Sequence, residues 1–595
     1  MKRLIDVAAG RVPADIVIKD AKIIDVYAGT IIEGDVAICE ERIAGIGNYE
    51  GHRVIDANGR YLAPGFIDSH IHIESSYLSP EEFGRLLVPF GATTIIADPH
   101  EIVNVCGITG LNYMLDASEE TALNIKFMIP SCVPATPFEH AGAVVDAAAM
   151  KNPLKDERVL GLGEFMNYPG VIEGAEDVID KLVLAIENGK LIDGHSPGIT
   201  GNALNAYAAA NIRTDHECAT VEELNDRISR GIYVLLRHGS ACKDLRNLLK
   251  GVTPFNSRRC LLCSDDRQPK TIFEEGHLDE HIRICVQEGI DPITAIRMAT
   301  INAAECYHLT DRGAVAPGLR ADLVLFDNLT DFKVSQVFIA GQEVARDGEY
   351  LLPIKRHDST MVQGSFHVKD FSKEKLRLPL TTNRVHVIDI LPESVVTKKS
   401  IAEVQIDEQG EFQYSEDLGI AKVAVVERHQ NTGNVAVGLI RGYGIRKGAI
   451  ALSIAHDSHN IITVGVNDEE MEFAVNSLIE QGGGIVLVED QQILANMPLP
   501  IGGIMSDQTG ERVEAQLSKI HEVAFQQLGI CGGVEPVMTL CFMSLAVIPE
   551  IKITDMGLFD VTKFEFIPIE AESTEHNQLA EGKAEEELVL ANSIR

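Results

Sequence analysis

The sequence predicts an α/β protein: a TIM-like (β/α)8 barrel, a small β-sandwich built from the segments that flank it, and a C-terminal α+β domain. Three observations carry this expectation. Between about residues 60 and 312, apolar β-runs alternate with helical patterns eight times. On either side, 14–56 and 313–346 share a texture of short β-runs broken by Gly and Asp. After a polar stretch, 401–570 resumes with β-runs, a helical pattern and Gly-rich turns.

The N-terminal flank supplies "ADIVIKDAKIIDV", "GDVAICEERIAGIG" and "RVIDANGR". The predicted barrel strands follow in order as "LAPGFIDSH", "TTIIADPHE", "NIKFMIPS", "VLGLGEFM", "KLIDGHS", "NIRTDHE", "IYVLLRHGS" and "RCLLCSDD". The clearest helix is "SPEEFGRLLVPFG": Ser79 is the expected N-cap, Pro80 sits in the first turn, Glu82 completes a capping box and Gly91 stops it. Phe83, Leu86, Leu87 and Phe90 form its apolar stripe. An open doubly wound sheet is the runner-up, but no Gly-rich dinucleotide fingerprint follows the first strand. The expected domains are 1–59 with 313–355 (sandwich), 60–312 (barrel), 356–400 (linker), 401–570 (α+β domain) and 571–595, an acidic disordered tail.

The chain has 595 residues, 45% of them hydrophobic, a mean hydropathy of +0.05 and a formal charge of −36. Such an acidic surface argues against nucleic acid and anionic membrane as partners. No run approaches the roughly 18 uncharged apolar residues of a membrane span, and the start lacks a signal-peptide pattern, so a cytoplasmic enzyme is expected. Eleven cysteines show no disulfide framework. Cys260 and Cys263 form a CxxC inside an apolar strand, where the sulfurs fall on opposite faces and read as core thiols.

Seven of the eight strands end in His, Asp or Glu. Alternation puts His70 and His72 on one face of the first. The others end in Asp98, His100 and Glu101; Glu164; His195; Asp215, His216 and Glu217; His238; and Asp265 with Asp266. Any one of these could simply bond to a loop. A barrel, however, gathers all strand ends into one bowl, and imidazole with carboxylate suits Zn, Mn or Fe(II). Alternation directs Glu217 out of the barrel, which gives it a structural role, and the chain should turn at Pro99. His456 and His459 in "AHDSHN" have metal-like spacing but no third partner in sequence, so packing is the expected role.

"APGFIDSHIH" and "GAVAPGLRADLVLFD" resemble the first-strand signature and the return segment of the amidohydrolase superfamily. That resemblance, over 14–350, implies a metal site of His70, His72, a glutamate, His195, His216 and Asp265. Relatives with a carboxylated lysine carry it on strand four, where this chain has Glu164. Within the superfamily, "SHIHIESS", "ADPHEIVNV", "GLGEFMNYPGVI", "DGHSPG", "TDHE", "RHGSACKDL", "CSDDR" and the run from "GAIALSIAHDSHNIITVGVND" to "PLPIGGIMSD" resemble the bacterial adenine deaminase family. This implies hydrolysis of adenine to hypoxanthine and ammonia, with two divalent cations per subunit, Mn2+ or Fe2+ favoured and Zn2+ acceptable. It implies a purine as the small-molecule partner and a homo-oligomer, a dimer by preference.

Asp265 would then take and return the proton of the attacking water. Glu101 and Glu164 compete for the bridging-ligand and N1-acid roles, and position on strand four favours Glu164 as the bridge and Glu101 as the catalytic acid. His216 is a ligand or stabilises the tetrahedral centre. His238, Ser240 and Glu101 are expected substrate contacts. The zinc signature of the other nucleobase deaminases, HxE with PCxxC, is absent. The competing functions are cleavage of a cyclic imide or N-acyl amide at the same metal site, and a non-catalytic barrel scaffold.

Overall fold

The computed structural model describes residues 1–392 and 394–571; the acidic tail expected at 571–595 lies outside them from 572 on. The barrel strands are β1 (Phe66–His72), β2 (Ala92–Ala97), β3 (Asn124–Ile129), β4 (Val159–Phe165), β5 (Leu191–Gly194), β6 (Thr214–Asp215), β7 (Tyr233–Arg237) and β8 (Cys260–Cys263). β1 to β5 pair in parallel, as do β6 to β8. The Arg213 amide, donating to Ile192 O at 3.1 Å, spans the gap between β5 and β6. On the other side Asp265 and Asp266 pair in parallel with Ile71 and His72 and close the seam. β1 and β2 are buried along their whole length, as strands covered on both faces must be.

The segments flanking the barrel join in one sheet. Five strands from Ala14 to Pro64 and four from Leu323 to Tyr350 form one nine-stranded sheet. Its two halves meet where Tyr61–Pro64 pairs antiparallel with Leu323–Phe326, over a core that includes Ile18, Ile23, Leu62, Leu323 and Phe338. "LAPGFIDSH" is therefore two strands: Tyr61–Pro64 serves the flanking sheet and β1 the barrel. Gly65 lies between them, where a Cβ would fall 2.1 Å from Thr93 Oγ1.

The helix at 80 departs from expectation at its start. It spans Pro80–Leu87, continues as a 3-10 turn over Val88–Phe90, and stops at Gly91 with φ 90°. Ser79 makes no side-chain cap; its hydroxyl donates to Glu81 Oε1 at 2.7 Å. Glu82 does not close a capping box because stronger donors claim it: Arg85 Nη2 at 2.7 Å, Arg356 Nη2 at 2.8 Å and the Gly510 amide at 2.8 Å.

The chain divides into two compact units, one of residues 1–135, 142–364 and 499–515, the other of 136–141, 365–498 and 516 onward. The second unit carries an eight-stranded sheet with the helix Asp468–Glu480 packed through Met471, Ala474, Val475 and Leu478. This corrects two sequence boundaries. The stretch read as a linker contains Arg384–Ile390, an interior strand of that sheet, whose alternation is hidden among polar neighbours. The run 499–515, expected within the C-terminal domain, belongs to the first unit, tied there by the Ser506 amide donating to Tyr77 O at 2.7 Å. Among the described residues, no helix is long and apolar enough to cross a membrane.

Candidate metal centre and active site

The first two imidazoles owe their placement to strand alternation. The His70 and His72 rings stand edge to face with centroids 4.7 Å apart. Asp98 O lies 2.8 Å from His72 Nδ1, which makes Nδ1 the protonated nitrogen and leaves Nε2 facing the bowl as a ligand atom. The strand β2 ends at Ala97 and a helix starts at His100, so the chain turns at Asp98-Pro99 as expected. His100 thereby joins the bowl, its Nδ1 3.3 Å from Glu164 Oε1.

Glu164, at the end of β4, is the hub. Its Oε1 stands 3.5 Å from His72 Nε2, and its Oε2 stands 2.9 Å from His195 Nδ1, 3.1 Å from His216 Nε2 and 4.0 Å from His70 Nε2. Burial alone would raise its pKa, but hydrogen bonds from His195 and His216 hold it well below the carboxylate range. The backbone repeats the theme: the Glu164 amide donates to Asp98 Oδ2 at 2.8 Å.

Asp265 completes the bowl from the barrel seam. Its Oδ1 lies 3.1 Å from His72 Nε2 and 3.7 Å from His70 Nε2. Its Oδ2 accepts from Arg237 Nη1 at 3.0 Å. Burial pushes against ionisation, yet the His72 hydrogen bond and the Arg237 charge keep Asp265 well below its ordinary pKa. Arg237 also pairs with Glu217, and with Asp244 at 3.1 Å.

Glu217 corrects the sequence expectation. It does not leave the barrel: its Oε1 is 3.4 Å from His216 Nε2 and 3.7 Å from His195 Nδ1. Alternation fails because β6 ends at Asp215, two residues earlier. Burial opposes its ionisation, but the His195 and Arg237 charges push its pKa far down.

These side chains make overlapping groups whose ligand atoms lie within 4.8 Å of one another: His70 with His72 and Asp265, His70 with Glu164 and His216, His72 with His100 and Glu164, and His195 with His216 and Glu217. His70 Nε2 is buried and has no hydrogen-bond partner. Burial and the neighbouring imidazoles His216 and His72 push the His70 pKa well down, so it is the neutral, ligating form. A buried, neutral, orphaned imidazole nitrogen among carboxylates fits a divalent cation.

Beside the bowl, Ser75 donates to Glu101 Oε1 at 2.9 Å and also bonds Asp266. Burial, reinforced by the charges of Glu74 and Asp266, raises the Glu101 carboxyl well above its ordinary value. Glu74 itself is pushed up to about 7 by burial, and Asp266 to about 6 by burial and the Asp265 charge.

The remaining expected residues sit elsewhere. His238 Nε2 is 3.8 Å from Glu280 Oε1 and its ring packs against His281 at 5.3 Å. The Ser240 hydroxyl contacts Thr271 Oγ1 at 2.8 Å and accepts from the Gln268 amide at 2.9 Å. His456 and His459, in the second unit, have ring centroids 5.5 Å apart, and His456 stacks on Phe542. Cys260 and Cys263 are free, buried thiols. Arg237 was missed altogether, and the signal was there: an arginine ends the otherwise apolar run "IYVLLR", next to the histidine that drew attention instead.

Residues 61–344 match the family model described as "Amidohydrolase family", and 394–565 the one described as "Adenine deaminase C-terminal domain". A protein of Desulfotalea psychrophila called "Adenine deaminase 2" is 63% identical over 96% of this chain and 99% of its own length. "Adenine deaminase" of Ligilactobacillus salivarius is 51% identical over 95% of this chain and 98% of its own. "Adenine deaminase" of Geobacillus kaustophilus is 46% identical over 95% and 98%. Among solved structures, that of enamidase matches 57% of this chain and 98% of its own, with 19% identity and a TM-score of 0.44.

Proposed function

We propose, from the premise that this chain belongs to the adenine deaminase family, that it hydrolyses adenine to hypoxanthine and ammonia. The observation that carries this is Glu164 standing between two ligand groups. His70, His72 and Asp265 would hold one divalent cation, His195 and His216 a second, with Glu164 shared. Two cations per subunit, Mn2+ or Fe2+ by preference and Zn2+ acceptable, suit a nitrogen and oxygen donor set without thiolate. When bound, such ions lower the pKa of water from 15.7 to about 7, so that hydroxide is available at neutral pH.

The protein's own groups divide the proton work. Asp265 Oδ1 takes a proton from water and returns it to the departing amino group, while Arg237 on Oδ2 stops the carboxylate from rotating. The raised pKa of Glu101 supports its role as the acid that protonates the purine at N1, because a carboxyl must hold its proton at neutral pH to donate it. Ser75 ties Glu101 to Asp266 and so fixes the acid relative to the Asp265 strand end. His216, whose Nε2 faces Glu164 Oε2 and Glu217 Oε1, would serve as a ligand to the second cation. A purine contact by Ser240 requires exchange of its present partners, whereas His238 keeps an Nδ1 without a hydrogen-bond partner. We further propose a cytoplasmic homo-oligomer, a dimer by preference, since closed symmetric assemblies are the rule for such enzymes.

The test is a substrate panel on the metal-reconstituted protein: adenine, a cyclic imide and an N-acyl amide, with ammonia and ultraviolet absorbance as readouts. Ammonia release from adenine alone is expected. The amide-cleaving alternative, which the full-length similarity disfavours, predicts turnover of the amides and an unchanged adenine spectrum.

A further inference from the structure

The barrel closes on very few bonds. β8 ends at Cys263, and only Asp265 and Asp266 reach the ladder of β1. Between them, the Ser264 amide has no strand partner; it donates to the carboxylate of Asp68, on β1, at 3.1 Å to Oδ1. The same oxygen accepts the His70 amide at 3.3 Å. One carboxylate therefore grips the backbone of a candidate ligand on the first strand and that of the residue before Asp265 on the eighth. The residue it steadies is conformationally unusual, since Asp265 has φ 62°, a left-handed backbone rarely adopted outside Gly, Asn and Asp.

A histidine braces this grip from behind. His277 Nε2 stands 3.0 Å from Asp68 Oδ2, an ion-pair distance without hydrogen-bond alignment, and His277 Nδ1 stands 3.3 Å from Ser264 Oγ. Asp68, Ser264 and His277 are all fully buried. His277 is itself fixed: its amide donates to Asp279 Oδ1 at 2.8 Å, and its carbonyl lies 2.8 Å from His281 Nδ1. Neither Asp68 nor His277 belongs to the ligand groups named above.

We infer that Asp68 and His277 act as one device, a pair of positioning residues that clamps the seam between the first and eighth strands and sets Asp265 and His70 at metal-binding separation. This rests on the metal-dependent function proposed above. A ligand displaced by an ångström loses about a hundredfold in rate, so a clamp on two ligand-bearing strands is a strong lever without touching the chemistry.

The test uses the full chain, wild type and the variants Asp68→Asn, His277→Leu, His277→Gln and Asp68→Asn/His277→Leu. Four quantities are read: metal per subunit, the visible absorption of the Co2+-loaded protein, kcat and KM for adenine, and Tm. Asp68→Asn and His277→Leu are expected to shift the Co2+ bands and lower kcat by about tenfold or more with KM within about twofold. The double variant should be no worse than the poorer single one, within about twofold, because one device is lost only once. His277→Gln, whose amide nitrogen can lie against Asp68 Oδ2 where the ring nitrogen now stands, should restore most of the loss. The inference is overturned if single variants keep the wild-type Co2+ spectrum and kcat, if the two losses multiply, or if His277→Gln is as poor as His277→Leu. If the fold of the harsher variants collapses, the His277→Gln spectrum and kcat still decide. Wild-type protein inert toward adenine, with Co2+ bands that move as described, would sink the function and leave the clamp standing.

Discussion

Gly163, in "GLGEFM", offers a perturbation whose size can be worked out from the structure. A Cβ built there lies 1.9 Å from Asp98 Oδ2, 2.5 Å from Cγ and 2.8 Å from Oδ1. Real Cβ atoms keep at least 3.0 Å, so either the Asp98 carboxylate or the β4 backbone must yield by about 1.1 Å. The carboxylate has little freedom, since Asp98 is 1% exposed and its Oδ2 holds the Glu164 amide at 2.8 Å. Gly163→Ala should therefore destabilise by about 1–3 kcal/mol through overpacking, and by about 1–3 kcal/mol more if the Glu164 amide is orphaned. Displacing Glu164 by about an ångström should lower kcat by about a hundredfold. The assays are ammonia release with kcat and KM separated, metal equivalents per subunit, and thermal unfolding. Gly532→Ala, where a Cβ meets nothing within 4 Å, is the control. Wild-type kcat and metal content in Gly163→Ala would refute the idea that Asp98 and Glu164 are held rigidly against each other.

Two further perturbations test other parts of the structure. Lys552 is fully buried, its ammonium bonded to Val395 O at 2.8 Å, and burial lowers its pKa from 10.5 to about 7. Between those values the unfolded chain binds a proton that the folded chain does not, so stability rises with pH across that window. At pH 6 the penalty is about 5 kcal/mol, from 3.5 pKa units at 1.36 kcal/mol each, and Lys552→Met should recover about 4 kcal/mol once the lost hydrogen bond is counted. At pH 9 the penalty shrinks to about 2 kcal/mol. Denaturant melts at both pH values check this, and a gain independent of pH would contradict it. Arg237→Met leaves Asp265, Glu217 and Asp244 without their shared cation and should destabilise by about 3–5 kcal/mol, more than Arg237→Lys, as read by thermal unfolding. Equal Tm values for the two variants would show that the guanidinium fork is not what holds the carboxylates.

The strands were legible because buried parallel strands are written as apolar runs and end in polar residues. That is why His70, His72, Glu164, His195, His216 and Asp265 could be named in advance and do meet in one bowl. Alternation misled wherever a strand stopped early, as at Glu217, which lies past the end of a two-residue β6. Arg237 shows in the sequence only as a charged end to an apolar run; its salt bridge to Asp265 joins residues 28 positions apart, and sequence does not print side-chain direction. Asp68 was passed over for a related reason: its partners Ser264 and His277 become neighbours only when the barrel closes. The return of 499–515 to the first unit depends on bonds such as Gly510 to Glu82, formed by an ordinary-looking glutamate that local rules assign to a helix cap.

In the proposed function Glu164 joins two cation sites while Glu101 handles protons beside them. Metal equivalents per subunit, counted with ammonia release in wild type, Glu164→Gln and Glu101→Gln, test it directly. Two equivalents in wild type and in Glu101→Gln, with the latter nearly inert, and about one in Glu164→Gln are the predicted result. Equal metal content in all three proteins, or a Glu164→Gln variant that keeps both ions and full turnover, would contradict it.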